Sequence, residues 1–351
     1  MDRAPFNRPA LAVRFTGRGS EYFGIWAVNL LLSVLTLGIY SAWAKVRRNQ
    51  YLYRHTELAG AVFDYHASPL AILKGRAIAF VAFVVYSMAG QLHPGLAALL
   101  MFVFWGALPW LVERSLRFNL YQTSYRGLRF GFEAPAGRKY GALLGWPFLS
   151  TVSFGLMMPF AQQRFFAYLG NHSRFGGQAF TLNLKPAQFY ALYGRALALL
   201  VLGVAGPALL VFGLAAGDVP AQGPARAQGQ FFAGLAAGGV AFLLLMWVWA
   251  PYLRARLQNL VWNALELGPH RFASTLSARR LAWVSISNQC LIVLTLGLYR
   301  PFAVIRSVRC RLEAVSLLPQ GSLDDLVAGA RGQQGAVGAE MAEMFDVDVS
   351  L

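Results

Sequence analysis

Three arginines occupy one recurring position. Arg47, Arg164 and Arg306 each follow an apolar run interrupted by glycine, nine residues after Gly38, Gly155 and Gly297 respectively, and Lys45 accompanies the first. A guanidinium placed there has two chemistries open to it. It can snorkel from an apolar stem to the aqueous boundary of a membrane, or it can grip a phosphate or carboxylate with its planar fork. The second gains from nearby helix N-termini. Pro159 and Pro301 stand four residues past their glycines, where the first copy has Ala42. Glycine ends a helix at little steric cost, and proline suits the first position of a new one. Gly38, Gly155, Gly297, Pro159 and Pro301 are therefore expected to break helices, with Arg47, Arg164, Arg306 and Lys45 as candidates for binding anions or lipid.

Histidines offer a second chemistry. His55 and His172 each lie seventeen residues past a repeat glycine, but Ala314 fills that place in the third copy. No carboxylate or cysteine is spaced to complete a ligand set, so a loop-capping histidine is expected and no metal site. Cys290 and Cys310 belong to no CxxC pair. The chain carries no Ser/His/Asp triad, no phosphate-binding Gly-Lys-Ser/Thr loop and no HExxH. No catalytic residue, enzyme activity or cofactor is expected. None of the acidic residues falls inside an apolar run, which counts against a proton-coupled carrier.

The elements that carry these residues are apolar and long. Of 351 residues 57% are hydrophobic and 13% charged, and the formal net charge is +16. A soluble domain carries roughly a quarter charged residues, so the composition points to a multi-pass membrane protein. The basic residues flank apolar runs and form no continuous patch, which argues against nucleic acid as partner. Uncharged runs cover 22–44, 77–112, 140–163, 196–217, 227–253 and 281–299, and the second is divided by the turn signal Gly90-Gln-Leu-His-Pro-Gly95.

Seven straight crossings would place 13 Lys and Arg on one side and 18 on the other, against the positive-inside rule. If 22–44, 140–163 and 281–299 enter and leave on one side, the count becomes 30 against 1. The expected fold is thus an all-α multi-pass membrane protein. It has four full transmembrane helices in two hairpins plus three repeated broken, re-entrant helices. Seven kinked transmembrane helices are the alternative.

Loops repeat as well. Gly60-Ala-Val-Phe63, Gly127-Leu-Arg-Phe130, Gly177-Gln-Ala-Phe180 and Gly268-Pro-His-Arg-Phe272 are flanked by alternating residues, and 13–17 reads as a fifth case. They predict short strands in a small β-rich cytoplasmic layer. The domain reading is a membrane domain over 1–315, with copies near 22–54, 140–171 and 281–313, and a disordered acidic, Gly/Ala-rich tail over 316–351. The N-terminus shows no apolar stretch of the usual signal-peptide kind.

Glu21-Tyr-Phe-Gly-Ile-Trp26, Leu35-Thr-Leu-Gly-Ile-Tyr-Ser-Ala-Trp-Ala-Lys-Val-Arg-Arg48 and Leu73-Lys-Gly-Arg76 resemble the YjgN family of bacterial inner-membrane proteins, defined by a domain of unknown function. The resemblance extends over about residues 12–315. The second copy departs from the motif, with Gln162 for Lys45 and Met157 for Tyr40. It implies residence in the inner membrane, where the charge count puts both termini on the cytoplasmic side, and it carries no catalytic residues over. Two functions remain: a transporter or channel-like protein for a small anionic solute, or a non-transporting protein that binds lipid headgroups or a partner through its basic face. The expected partners are the bilayer and anionic phospholipid headgroups.

Overall fold

The computed structural model describes residues 9–135, 137–217, 224–323 and 327–329. Its organising element is a sheet. Two short strands open the chain, β1 (Leu11–Ala12) and β2 (Arg14–Phe15). Helices α1 (Gly19–Leu35) and α2 (Ser41–Arg54) lead into hairpin β3 (Thr56–Leu58) and β4 (Ala61–Tyr65). Helices α3 (Pro69–Leu92) and α4 (Pro94–Tyr121) lead into β5 (Thr123–Tyr125) and β6 (Leu128–Phe132). Next come α5 (Arg138–Tyr140), a π-helical turn (Gly141–Gly145), α6 (Trp146–Val152) and α7 (Met158–His172), leading into β7 (Ser173–Phe175) and β8 (Gln178–Leu182). Then α8 (Pro186–Gly217) and α9 (Pro224–Asn263) precede β9 (Leu265–Leu267) and β10 (His270–Ser274). Finally α10 (Ala278–Leu294) and α11 (Arg300–Leu312) precede β11 (Val315–Leu318).

The eleven strands of the described residues join one antiparallel sheet in the order β1-β11-β10-β9-β8-β7-β6-β5-β4-β3-β2. Its two edges, β1 and β2, are separated in the chain by Val13 alone, so the sheet nearly closes on itself. Strands of two to five residues cannot stand alone, and closure removes the unpaired edges that would otherwise be exposed. Tight turns make the hairpins possible. Ala59 and Gly60 (φ 50° and 75°), like Arg126 and Gly127 (φ 49° and 80°), take the double left-handed conformation of a type I′ turn.

Period-two alternation sends one side of each strand into the ring. Phe63, Phe130, Phe180 and Phe272 follow one another there with ring centroids 6.3–6.4 Å apart. They pack on buried Leu58, Tyr125, Leu128, Phe175 and Leu267. Burying each such side chain contributes roughly 1.5–3 kcal/mol. The interior of the ring is a packed apolar core.

The helices follow one another around the sheet in chain order. α1 packs between α2 and α11, α2 beside α3, α7 beside α8, and α9 beside α10. Amide side chains fasten them to the strands. Asn171 Oδ1 accepts from Leu182 N at 2.7 Å, and Asn263 Oδ1 accepts from Ser274 N at 2.6 Å.

This architecture overturns the expected fold class. The chain is not all-α with a small β layer: an eleven-stranded ring carries the helices. Nor does it present four full spans with three broken helices, or seven. Among the described residues two helices, α3 and α4, are long and apolar enough to cross a membrane. Within their apolar stretches 0% and 6% of residues are buried, unlike the core helix of a soluble protein. α1 has 17 residues, about 25 Å of helix against a hydrocarbon core of roughly 30 Å. Of the expected tail, 316–318 belongs to β11, while 324–326 and 330–351 lie outside the described residues.

Candidate functional site

Three short helical hairpins, α1–α2, α6–α7 and α10–α11, reverse by the same bonds. Gly38 N, Gly155 N and Gly297 N donate five residues back, to Ser33 O, Ser150 O and Ile292 O, at 2.7–2.8 Å. Thr36 Oγ1, Ser153 Oγ and Thr295 Oγ1 accept from Tyr40 N, Met157 N and Tyr299 N at 2.9–3.0 Å. Gly38, Gly155 and Gly297 have φ of 91°, 87° and 95°, which glycine adopts without strain. Pro159 and Pro301 stand in the first turn of α7 and α11. The tips thus satisfy their backbone polar groups internally.

Each tip projects a large apolar side chain. Leu37, Phe154 and Leu296 are 95%, 99% and 95% exposed. All three are held at φ near 50°, a left-handed conformation costing a non-glycine residue roughly 1–2 kcal/mol. Strain combined with full exposure of an apolar group is unfavourable in water. Hydrocarbon removes the second cost.

The arginines lie one or two turns below the tips. No contact joins the three, since each sits in its own hairpin. Arg47 is exposed with its guanidinium 5.9 Å from the Tyr40 ring, and Arg164 is exposed at 4.8 Å from Phe160. Both side chains run back toward the tip, as helical side chains do. Neither is paired with a carboxylate among the described residues, and Lys45 is exposed beside Arg47. Arg306 differs. Its Nη1 donates to Asn288 Oδ1 (2.9 Å) and Tyr299 Oη (3.3 Å), and its Nη2 to Ser287 Oγ (3.3 Å). It binds its own hairpin.

Arg76 of α3 fixes the height of one tip. Its Nη1 donates to Ser41 Oγ, which itself donates to the carbonyl of Gly38. Arg76 is the last charge before the uncharged stretch of α3, so the α1–α2 tip ends where that helix becomes apolar. Tyr40 and Trp43 stack beside it with centroids 6.0 Å apart, the residue types of a membrane–water interface.

The histidines do not meet. His55 Nδ1 lies 2.7 Å from Tyr51 O, and His172 Nδ1 lies 2.7 Å from Tyr168 O. Each caps the end of its helix. Among the described residues no group of three or more His, Cys, Asp or Glu could hold a metal ion.

One buried charge escaped the sequence reading. Glu113 ends an uncharged run, yet in α4 it is buried, 3.0 Å from Arg117 Nη2 and 3.2 Å from Lys139 Nζ. Burial, with the Glu113 charge, pushes the nearby Tyr168 hydroxyl up to about 12. The signal available in sequence was spacing: Arg117 lies four residues on, one helical turn away.

The model of a family described as bacterial protein of unknown function (DUF898) matches residues 10–344. The inner membrane protein YjgN of Salmonella typhimurium (strain LT2) is 26% identical over 358 residues, covering 89% of this chain and 89% of its own length. Proteins of the same name from Escherichia coli O157:H7 and K12 are each 28% identical over 148 residues, 42% of this chain and 37% of their own. No solved structure matches the chain. With almost its whole length matched by the family model, the chain belongs to the DUF898 family, among whose relatives are the inner-membrane proteins named YjgN.

Proposed function

We propose that this protein is a non-transporting inner-membrane protein that binds the lipid interface. In this reading α3 and α4 cross the bilayer. The three short hairpins rest in the interfacial layer on the cytoplasmic side, with the strand ring beneath them. Leu37, Phe154 and Leu296 meet acyl chains, while Arg47, Arg164, Arg76 and Lys45 meet anionic phospholipid headgroups. The observation that carries it is the tip itself: a nearly fully exposed apolar residue on a turn whose backbone needs no water. The similar helix pairs and strands read as internal repeats of one unit.

A path for a small anion is the second reading, favoured by the arrangement of helices around one axis. It requires the apolar interior of the ring to open. The test compares wild type with Leu37→Asp/Phe154→Asp/Leu296→Asp after purification in mild detergent. The triple variant should keep its fold by circular dichroism and lose most copurified phospholipid. Unchanged lipid in the triple variant would remove the interfacial reading. Anion uptake by proteoliposomes of the wild type above empty vesicles would replace it with the second.

A further inference from the structure

On the outer face of the sheet, over the seam where β4 pairs with β5, lies an open cleft of about 720 Å³. Asp64, His66, Ser124, Arg126 and Arg129 line it, together with the Gly60 and Gly127 turns. It is separate from the hairpin tips, and the interfacial reading does not use it.

The balance of charge in the cleft is positive. Its one carboxylate is committed: Asp64 Oδ1 accepts from Arg54 Nε at 2.9 Å and from Tyr65 N at 2.8 Å. Burial pushes the Asp64 carboxyl up, but those bonds and the Arg54 charge hold it below its ordinary value. Asp64 therefore stays ionised and turned toward Arg54. Arg126 is planted at the hairpin turn, where its Nη2 donates to Ala59 O of the neighbouring turn at 2.8 Å.

Arg129 has a different support. Its guanidinium stacks on Tyr121, 4.5 Å from the ring centroid. Stacking uses the face of the group and leaves its planar edge of donors pre-oriented. No carboxylate pairs with Arg129 among the described residues. Behind it, the Ser124 hydroxyl lies 2.7 Å from His66 Nε2. A planar fork, a hydroxyl and an imidazole are the donors that a phosphate group takes. Tyr121 is the last residue of α4, a candidate span, so the cleft opens at the foot of that helix.

We infer that this cleft binds a phosphate-bearing ligand, held by Arg129 with Ser124, His66 and Arg126. A phospholipid headgroup and a soluble phosphate ester share that chemistry, and the experiment separates them. Full-length protein in detergent would be titrated with inorganic phosphate and glycerol 3-phosphate. Protein in nanodiscs of phosphatidylcholine, with and without phosphatidylglycerol, would be measured for bound anionic lipid by native mass spectrometry. Wild type should bind at least one of these probes.

Arg129→Gln should weaken that binding by about tenfold or more, the loss of a charged hydrogen-bonding pair. Arg129→Lys should recover only part of it, because an ammonium lacks the fork. Ser124→Ala should cost a few-fold without changing charge. Arg279→Gln, at an exposed position of α10 outside the cleft and the tips, should leave binding of the soluble probes unchanged. Binding confined to phosphatidylglycerol identifies a headgroup, and binding of glycerol 3-phosphate identifies a soluble ester. Binding of all probes at wild-type strength by a folded Arg129→Gln protein overturns the site, as does failure of wild type to bind any probe.

Discussion

Arg306 donates to Asn288 Oδ1 at 2.9 Å across the α10–α11 hairpin, and Asn288 Nδ2 in turn donates to Ala303 O at 3.1 Å. The equivalent pair in the first hairpin, Arg47 and Asn29, makes no such bond. Arg47 lies over Tyr40, and Asn29 Oδ1 is buried without a hydrogen-bond partner. One sequence position therefore has two fates. Arg306→Gln should destabilise the protein by about 1–3 kcal/mol, since a buried acceptor loses a charged donor. Arg47→Gln should stay within about 0.5 kcal/mol, as exposed substitutions do. Thermal unfolding in detergent measures both, and equal effects would remove the distinction.

Gly297 has a φ of 95°, and a Cβ there meets nothing within 4 Å. Only backbone strain opposes a side chain. Gly297→Ala should therefore cost about 1–2 kcal/mol. Gly24, inside α1 and equally uncrowded, should gain roughly 0.5–1 kcal/mol on replacement by Ala, because helix interiors disfavour glycine. Opposite signs in denaturant unfolding are expected. The same sign for both would argue against a strained tip.

His270 is buried in β10, where its Nδ1 accepts from Gln320 N at 3.3 Å. Burial pulls its pKa below the ordinary histidine value of 6.5. The unfolded chain then binds the proton more readily, so stability is fully present above pH 6.5 and falls as acid approaches the lowered folded value. Protonation also removes the acceptor that Gln320 N uses. Hydrogen exchange at Gln320 should accelerate on acidification beyond the intrinsic trend, and His270→Asn should abolish that pH dependence. A flat profile in the wild type would refute the coupling.

Asn171 bonds both polar groups of Leu182: its Oδ1 accepts from Leu182 N and its Nδ2 donates to Leu182 O at 3.3 Å. Asn171→Ala leaves both groups without that partner and should cost about 1–3 kcal/mol. Gly170 beside it leaves no room for a neighbouring side chain to compensate, since a Cβ there would stand 2.5 Å from Leu182 Cδ2. Unfolding of the Ala variant at the wild-type midpoint would show that the junction is held elsewhere.

Composition alone determined that long stretches of this chain cannot be solvated, because apolar exposure and scarce charge act through area and need no coordinates. Local chemistry determined the tips as well: the Gly38, Gly155 and Gly297 conformations follow from the absence of a Cβ, whatever surrounds them. The fold class was decided only in three dimensions. Strands such as Thr123–Tyr125 are too short to carry a hydropathy signal, and nothing local says that β1 at the N-terminus must pair with β11, Leu11 opposite Leu317. That closure is non-local, and it organises every helix. The roles of the arginines were decided in the same way. Arg47, Arg164 and Arg306 share a sequence position, yet Arg306 reaches the buried Asn288 Oδ1 whereas Arg47 lies over Tyr40 and leaves the buried Asn29 Oδ1 unbonded. A repeated residue type fixes a chemical capacity, and packing decides where that capacity is used.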